Sequence, residues 1–247
     1  MSDATTIKAE RKVTLYYSAP APCPYLSGRT ERRIFTEMHG PAAQSVYDQL
    51  TLVGFRRSLR YAYRPACPGC GACVPVRIPV AEFAWTRRWR RVRTINQDLA
   101  LRMRPANATA EQYRLFARYQ RGRHADGDMA RMDDTDYRAM VELGALDSRM
   151  YELRDEATGQ LVAACLVDSL ATGLSAVYSF YDPDHRRRSL GSLIILTLVE
   201  QAVASGLPFV YLGYWIADSP KMAYKAEFAP LEALSRDGWR RITAPRS

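Results

Sequence analysis

Residues 176–214 read AVYSFYDPDHRRRSLGSLIILTLVEQAVASGLPFVYLGY and contain three patterns in succession. The first, residues 176–181, is rich in aromatic and β-branched residues, which predicts a strand that ends at an Asp-Pro-Asp turn. The second, residues 190–204, has the apolar content and length of a helix, and residues 208–214 predict a further strand. A strand, a helix and a strand in succession predict an α/β fold.

The residues before this stretch predict two further strands and two helices. The strands are expected at 150–154 and 161–168, and the helices at 110–122 and 134–143. Helices, then a three-stranded meander, a loop, a helix and a final strand make an element order that resembles the N-acetyltransferase type of fold. We therefore expect an N-acetyltransferase-like mixed sheet in the C-terminal part, within an α/β (α+β) protein.

Charge divides the 247 residues into two unequal parts. Residues 1–104 hold 18 Lys and Arg against 7 Asp and Glu, whereas residues 105–247 hold 17 against 19. We predict a flexible arm at 1–14, a basic, cysteine-rich N-terminal domain at 15–104 and the acyltransferase-like domain at 105–247. A positive excess confined to one part indicates a polyanionic partner, usually nucleic acid. A basic solvated face without a partner is the alternative.

Composition excludes several classes of protein. Hydrophobic residues make up 47% of the chain and charged residues 25%, as in ordinary globular proteins. No apolar run approaches the ~18 residues of a membrane span, and the first residues lack the apolar core of a signal peptide. We expect a cytoplasmic protein with no membrane partner. Five cysteines without a secretion signal favour thiols or bound metal over disulfides.

Three cysteines lie within seven residues, at Cys67-Pro-Gly-Cys70-Gly-Ala-Cys73, and Cys23 is a distant fourth. The Cys-Pro-x-Cys-Gly pattern is typical of a knuckle turn, in which backbone amides point at the sulfurs. Four thiolates could close a tetrahedral zinc or iron–sulfur site. Reduced thiols without metal are the alternative. Cys165, inside an apolar strand, is expected in the core.

The loop after residue 181 partly matches the pyrophosphate loop of N-acetyltransferases, Arg-x-x-Gly-x-Gly/Ala. Arg188 and Gly191 fit this pattern, but Leu193 stands where a small residue belongs. A helix N-terminus beside arginines such as Arg187 attracts phosphate. Because Leu193 weakens the case for coenzyme A, we expect a different phosphate-bearing donor. Solvated arginines in an exposed loop are the alternative.

Seven short motifs are spread over residues 15–235. They are Cys23-Pro-Tyr-Leu, Phe55-Arg-Arg-Ser58, Tyr63-Arg-Pro-x-Cys67-x-x-Cys70-x-x-Cys73-x-x-Val76-Arg77, Asn96-x-Asp98-Leu99, Arg123-His124-x-Asp126-Gly127, Tyr181-Asp182-Pro183 and Lys221-Met-x-Tyr224-Lys225. In this order they resemble the arginyl-tRNA–protein transferases, and most of all their bacterial branch, the aspartate/glutamate leucyltransferases. Several motifs in the right order are more specific than any one alone.

The resemblance implies transfer of leucine from leucyl-tRNA to the α-amino group of proteins that begin with Asp or Glu. Such transfer marks the acceptor for degradation through the N-degron pathway, and it requires no cofactor. Aminoacyl-tRNA would then replace acetyl-coenzyme A on the acyltransferase fold. Arginine is the alternative donor. A coenzyme A-dependent N-acetyltransferase and a non-catalytic zinc-knuckle RNA-binding adaptor are the alternative functions.

The implied reaction needs little more than positioning, mild base assistance and stabilisation of an oxyanion, because the donor ester is already activated. His124 could relay the proton of the amine, although such a residue is more often a helix C-cap. Tyr181 and Tyr224 could donate hydrogen bonds to the oxyanion.

Recognition of an acidic N-terminal side chain calls for a fixed cation, best an arginine. Arg77 is the candidate, and a surface or salt-bridged arginine is the alternative. On a predicted helix, Lys221 and Lys225 lie four residues apart and could neutralise phosphates of the tRNA acceptor end, with Tyr224 stacked on the terminal adenine. The expected tRNA-binding residues are Arg187, Arg188, Lys221 and Lys225.

Overall fold

The computed structural model describes residues 13–125, 127–144 and 146–242. Most of the predicted flexible arm, residues 1–12, lies outside them. The helices are α1 (Ala43–Leu52), α2 (Arg87–Ile95), α3 (Ala110–Arg123), α4 (Asp134–Glu142) and α5 (Leu190–Ala204). Short 3₁₀ helices cover Val80–Glu82, Asp128–Arg131, Arg186–Arg188 and Ala223–Glu227.

Fourteen strands are distributed over three sheets in the described part of the chain. In order they are β1 (Tyr16–Tyr17), β2 (Ala21–Pro22), β3 (Thr30–Glu31), β4 (Arg33–Glu37), β5 (Arg56–Ser58), β6 (Tyr61–Pro65), β7 (Val74–Pro79), β8 (Leu99–Pro105), β9 (Ser148–Asp155), β10 (Leu161–Leu170), β11 (Gly173–Tyr181), β12 (Phe209–Trp215), β13 (Leu231–Ser235) and β14 (Gly238–Ile242).

The largest sheet has the order β14-β13-β7-β12-β11-β10-β9-β8. Its neighbours β11 and β12 run parallel and are connected by α5, whereas the strands on either side are antiparallel. The predicted meander, helix and final strand are therefore present. The expected mixed α/β class with an N-acetyltransferase-like order of elements is confirmed.

Parallel pairing of β11 with β12 covers only the first three residues of each strand, from Gly173 opposite Phe209 to Ser175 opposite Tyr211. Beyond that point β12 continues beside β7, and β11 continues beside β10. A gap between the two parallel strands therefore opens near the middle of the sheet. Crevices where neighbouring strands diverge are common places for ligand sites in α/β sheets.

Local sequence explains the helices that flank the sheet. Thr109 and Gln112 form a complete capping box at the start of α3. In α5 the residues are buried on almost every side, because this helix packs on the sheet together with α2 and the 3₁₀ turn after β7. On the opposite face, α3 and α4 share a second core with β10 and β11. Cys165 is fully buried, as expected.

The large sheet takes strands from both sides of residue 104. β7, which follows the cysteine cluster, pairs with β12 and β13, and β8 extends across residues 104 and 105 to pair with β9. A separate four-stranded sheet, β1-β4-β6-β5, belongs wholly to the N-terminal part. The division into domains at 15–104 and 105–247 stays a prediction, with a continuous sheet crossing it.

Within the described ranges, no helix has both the length and the apolar character needed to cross a membrane.

Candidate active site

Tyr181, at the end of β11, lies against the first turn of α5. A Cβ atom added to Gly191 would lie 3.1 Å from Cε1 of Tyr181, so the absence of a side chain at residue 191 allows this close approach. Ser189, just before α5, has φ +52° and gives the helix no side-chain cap. The first amides of α5 are thus left for another acceptor beside Tyr181.

His124 is brought to Tyr181 by a residue that the sequence did not single out, Tyr119. The Tyr119 ring packs edge-on against Tyr181 at 4.8 Å between centroids and against His124 at 5.5 Å. Its hydroxyl lies 3.4 Å from Nε2 of His124. Tyr119 follows Phe116 by three residues on α3, and this helical spacing was the signal available in the sequence.

His124 caps the C-terminus of α3, where its backbone N–H donates to the Gln120 carbonyl. The alternative role expected for it is therefore real, but its ring also faces the tyrosine cluster. Burial lowers the pKa of His124, and the positive charges of Lys221 and Arg123 lower it further. The imidazole is neutral at neutral pH and can accept a proton. Asp126, in the same motif, lies outside the described residues.

Tyr224 contributes a second hydroxyl next to Tyr181. The residue is 41% exposed, and its ring packs edge-on against Phe228. Partial burial, followed by the electrostatic effect of Tyr181, raises the pKa of Tyr224 to about 12. The hydroxyl stays protonated at neutral pH and is a hydrogen-bond donor. The structure thus brings His124, Tyr181 and Tyr224 into one neighbourhood.

The helical face expected for Lys221 and Lys225 is not formed, and this interpretation was wrong. Lys221 lies in a turn before the short 3₁₀ helix Ala223–Glu227, which contains Lys225, so the two lysines do not share an α-helical face. Lys221 is exposed, whereas Lys225 is only 7% exposed and its Nζ donates to the Tyr214 carbonyl at 2.6 Å. Burial, followed by the charge of Arg56, lowers the pKa of Lys225 to about 7.

The side chain of Arg188 is fixed by hydrogen bonds and an ion pair to other residues. Its Nε donates to Oδ1 of Asn96 at 2.8 Å, and Nδ2 of Asn96 donates to the Arg188 carbonyl at 2.8 Å. Asp98 forms an ion pair with the same guanidinium. Both polar residues of the Asn96-x-Asp98 motif thus contact Arg188. Arg187 remains exposed beside it, and Leu193 is buried in the core.

Arg77 already has a carboxylate partner. Its Nε lies 2.7 Å from Oε2 of Glu232, and its guanidinium carbon lies 3.5 Å from the centroid of Phe209 and 4.4 Å from that of Trp239. The structure therefore matches the salt-bridged alternative for this arginine. A role in binding the acidic N-terminus stays a prediction.

The four N-terminal cysteines line a common cavity of about 30 Å³. Burial raises the pKa of Cys73 to about 11, with further contributions from Cys23, Cys67 and Cys70, so these sulfurs are close neighbours. Sγ of Cys67 accepts a hydrogen bond from the backbone N–H of Arg32 at 3.3 Å.

All four cysteines are free thiols. Among the residues that the structure describes, no group of three or more His, Cys, Asp or Glu side chains is arranged to hold a metal ion. Zinc or iron–sulfur binding at these cysteines is therefore not confirmed.

Comparisons with known proteins agree with the motifs. A family model described as "Arginine-tRNA-protein transferase, N terminus" matches residues 21–91, and its "C terminus" counterpart matches residues 111–235. A protein of Paramagnetospirillum magneticum named aspartate/glutamate leucyltransferase is 54% identical over 92% of this chain and 93% of its own length. Its namesake from Granulibacter bethesdensis is 53% identical over 92% of this chain and 85% of its own length.

Among solved structures, L-PGS from Bacillus licheniformis superposes with a TM-score of 0.44 at 12% identity, covering 74% of this chain and 54% of that one. The two family models together cover most of the chain, and the relatives are similar to it almost from end to end. The chain belongs to the arginine-tRNA-protein transferase family.

Proposed function

We propose that the protein transfers leucine from leucyl-tRNA to the α-amino group of proteins that begin with Asp or Glu. The observation that carries this proposal is the 54% identity, over 92% of the chain, to a protein named for this transfer. The partners are then leucyl-tRNA as donor and a protein with an acidic N-terminus as acceptor. Because charged tRNA is found in the cytoplasm, the reaction belongs there, and the modified protein is marked for degradation.

In the proposed reaction the neutral α-amine attacks the carbonyl carbon of the leucyl ester. A C–N bond forms, the C–O bond to the terminal ribose breaks, and the ribose oxygen leaves with a proton. His124, neutral at neutral pH, takes the proton from the attacking amine and returns it to the ribose oxygen. Tyr181 and Tyr224 donate hydrogen bonds to the oxyanion that develops on the carbonyl.

The donor binds at the N-terminus of α5, where free amides and basic residues meet. Arg187 and Lys221 are exposed and contact phosphates near the acceptor end of the tRNA. Arg188, held by Asn96 and Asp98, fixes the loop that carries Arg187. Lys225 was expected to contact tRNA as well, but its side chain is buried and is less accessible to a phosphate than Arg187 or Lys221.

The test is incubation of the protein with labelled leucyl-tRNA or arginyl-tRNA and with peptides that begin with Asp, Glu or Ala. Leucine on the Asp and Glu peptides, and none on the Ala peptide, is expected. Labelling from arginyl-tRNA alone would support the alternative donor that the family description suggests. Failure of both donors would refute the function. Elemental analysis of the purified protein separately tests whether the four cysteines bind zinc or iron.

A further inference from the structure

Arg56 is a buried cation, and the groups that accept its hydrogen bonds are neutral. It lies on β5, is 8% exposed, and donates from Nη1 to Oγ of Ser175 at 2.9 Å and from Nη2 to the Ala176 carbonyl. A guanidinium has five N–H donors, and these two contacts leave several of them for another acceptor. Among the described residues, no Asp or Glu forms an ion pair with Arg56.

The next residue shows how the fold neutralises an arginine with a purely structural role. Arg57 donates from Nε and Nη2 to the two carboxylate oxygens of Asp168, at 2.8 and 2.9 Å. Ser148 donates to the same carboxylate at 2.6 Å. Asp168 is thus fully engaged by Arg57 and Ser148. Of these two adjacent buried arginines, only Arg57 forms an ion pair with a carboxylate among the residues that the structure describes.

Lys225 is a second buried basic group in the same place, and with a pKa of about 7 it is partly charged at neutral pH. The charge of Arg56 lowers its pKa, so the two groups are close, and the Lys225 ammonium donates to a neutral carbonyl, that of Tyr214. Neither cation has an acidic partner in an ion pair within the described ranges. Like charges in a poorly solvated space repel, and an anion placed between them would relieve the repulsion.

The cation pair lies at the gap between β11 and β12. Arg56 contacts Ser175 and Ala176 on β11, and a Cβ added to Gly213 of β12 would lie 3.1 Å from its Nε. The guanidinium therefore lies between the two strands, just beyond the point where their pairing ends.

Both strands are irregular beside Arg56. The register of β11 shifts at Val177, and that of β12 shifts between Tyr211 and Gly213. Such irregularities commonly re-aim groups next to active sites. Tyr224, which precedes Lys225, connects this gap to the cluster of Tyr181 and His124.

We infer that Arg56, together with Lys225, binds the side-chain carboxylate of the acceptor's N-terminal Asp or Glu, in the gap between β11 and β12. This inference rests on the proposed function and names the residues that give it acidic specificity. The carboxylate accepts from the free N–H groups of Arg56 and balances both charges. Arg77, whose charge Glu232 already balances, is a weaker receptor. A tRNA phosphate suits the exposed Arg187 better than a guanidinium enclosed between strands.

The experiment measures leucine transfer by the full-length protein, at saturating leucyl-tRNA, to paired peptides that differ only by Asp or Asn at the N-terminus. In the wild type, kcat/KM is expected to favour Asp strongly. For Arg56→Gln we expect kcat/KM to fall by on the order of 100-fold for the Asp peptide, mainly through KM, and to change little for the Asn peptide. Arg56→Lys keeps the positive charge but loses the two-pronged geometry of the guanidinium. The ratio of kcat/KM for the Asp peptide to that for the Asn peptide is expected to lie between the values of the wild type and Arg56→Gln.

Two matched variants make the comparison specific. Arg60→Gln removes an exposed arginine from the same hairpin, and the ratio between Asp and Asn is expected to stay at the wild-type value. Arg77→Gln tests the competing candidate. If Arg77→Gln abolishes the preference for Asp while Arg56→Gln keeps it, the inference is overturned. It is equally overturned if Arg56→Gln weakens leucyl-tRNA binding and leaves the Asp-to-Asn ratio intact.

If Arg56→Gln does not fold, two milder substitutions test the inference instead. Ser175→Ala removes one contact of Arg56 without changing any charge, and Lys225→Met removes the second cation. Each is expected to lower the Asp-to-Asn ratio by about 10-fold. An unchanged ratio in both would contradict the inference.

The proposed function and the inference fail in different ways. If the wild type leucylates no acidic peptide, the function is wrong and the inference falls with it. If the wild type leucylates them and the Arg56 variants keep the preference for Asp, only the inference is wrong.

Discussion

The Tyr119 hydroxyl lies 3.4 Å from Nε2 of His124, while the ring of the same tyrosine packs against Tyr181. One residue of α3 thus sets the position of the imidazole relative to the end of β11. Burial, followed by the neighbouring tyrosines, raises the pKa of Tyr119, so its hydroxyl stays protonated and can hold the imidazole in one orientation. Tyr119 is a positioning residue in the proposed reaction.

Replacing Tyr119 with Phe should therefore slow transfer without abolishing it. Loss of one hydrogen bond of about 1 kcal/mol predicts a fall in kcat of roughly 5- to 10-fold, with KM for the peptide little changed. The matched control is Tyr113→Phe, which removes a hydroxyl of the same helix that bonds to the Met132 carbonyl. Equal losses in the two variants would show that only the stability of α3 is affected.

His124→Gln should lower kcat by about 10²- to 10⁴-fold, the usual contribution of a general base.

The pH dependence of kcat/KM provides a second test of His124. Below the α-amine pKa of ~7.7–8.0, log kcat/KM rises with slope one, because only the neutral amine attacks. Below the His124 pKa, which lies under its usual value, protonation of the base makes the slope two. The variant should keep slope one throughout. His39→Gln, an exposed histidine elsewhere, should reproduce the wild-type profile.

Sequence patterns predicted α3 and α5 closely, because the capping box and the apolar block are local signals. They also pointed to His124 and Tyr181. They did not reveal that Lys225 turns inward, because that depends on the 3₁₀ turn that follows β12 and folds the lysine back onto the Tyr214 carbonyl.

Arg56 illustrates the same limit more strongly. Its neighbours Ser175 and Gly213 come from strands more than a hundred residues away, and they meet only because β11 and β12 stop pairing. The motif Phe-Arg-Arg-Ser gives no sign that Arg57 pairs with a carboxylate while Arg56 forms no ion pair within the described part of the chain. Long-range strand pairing decides the charge balance of each.

The ion pair of Arg57 with Asp168 should contribute strongly to the free energy of unfolding. Both side chains are almost fully buried, so removing one partner leaves an unpaired buried charge. Arg57→Ala is expected to lower the free energy of unfolding by about 3–5 kcal/mol, measured by urea denaturation. The exposed pair of Arg60 with Glu37 provides the contrast, because solvent screens it and Arg60→Ala should leave the unfolding free energy nearly unchanged. Similar losses in the two variants would contradict this assignment.

Asn96→Ala should release the loop that precedes α5. The Asn96 side chain is buried and bridges the end of α2 to both the carbonyl and the guanidinium of Arg188. Its removal leaves buried groups unpaired, and a loss of about 1–3 kcal/mol in unfolding free energy is expected. If the loop carries the donor site, leucyl-tRNA should also bind more weakly, while Asn107→Ala, at an exposed position, should change neither quantity.

The salt dependence of tRNA binding tests whether Arg187 and Lys221 contact phosphates. Each phosphate contact releases counterions, so log Kobs falls with log salt by about 0.7–0.9 per contact. Arg187→Ala and Lys221→Ala should each make that slope shallower by about this amount. Arg240→Ala, an exposed arginine on β14, removes the same type of charge at a different surface and should leave the slope unchanged. A slope that changes equally in all three variants would mean that net charge, rather than contact at this site, determines the affinity.

Lys221→Ala should also change the pH dependence of transfer. Because Lys221 lowers the pKa of His124, its removal should move the break in the pH profile upward.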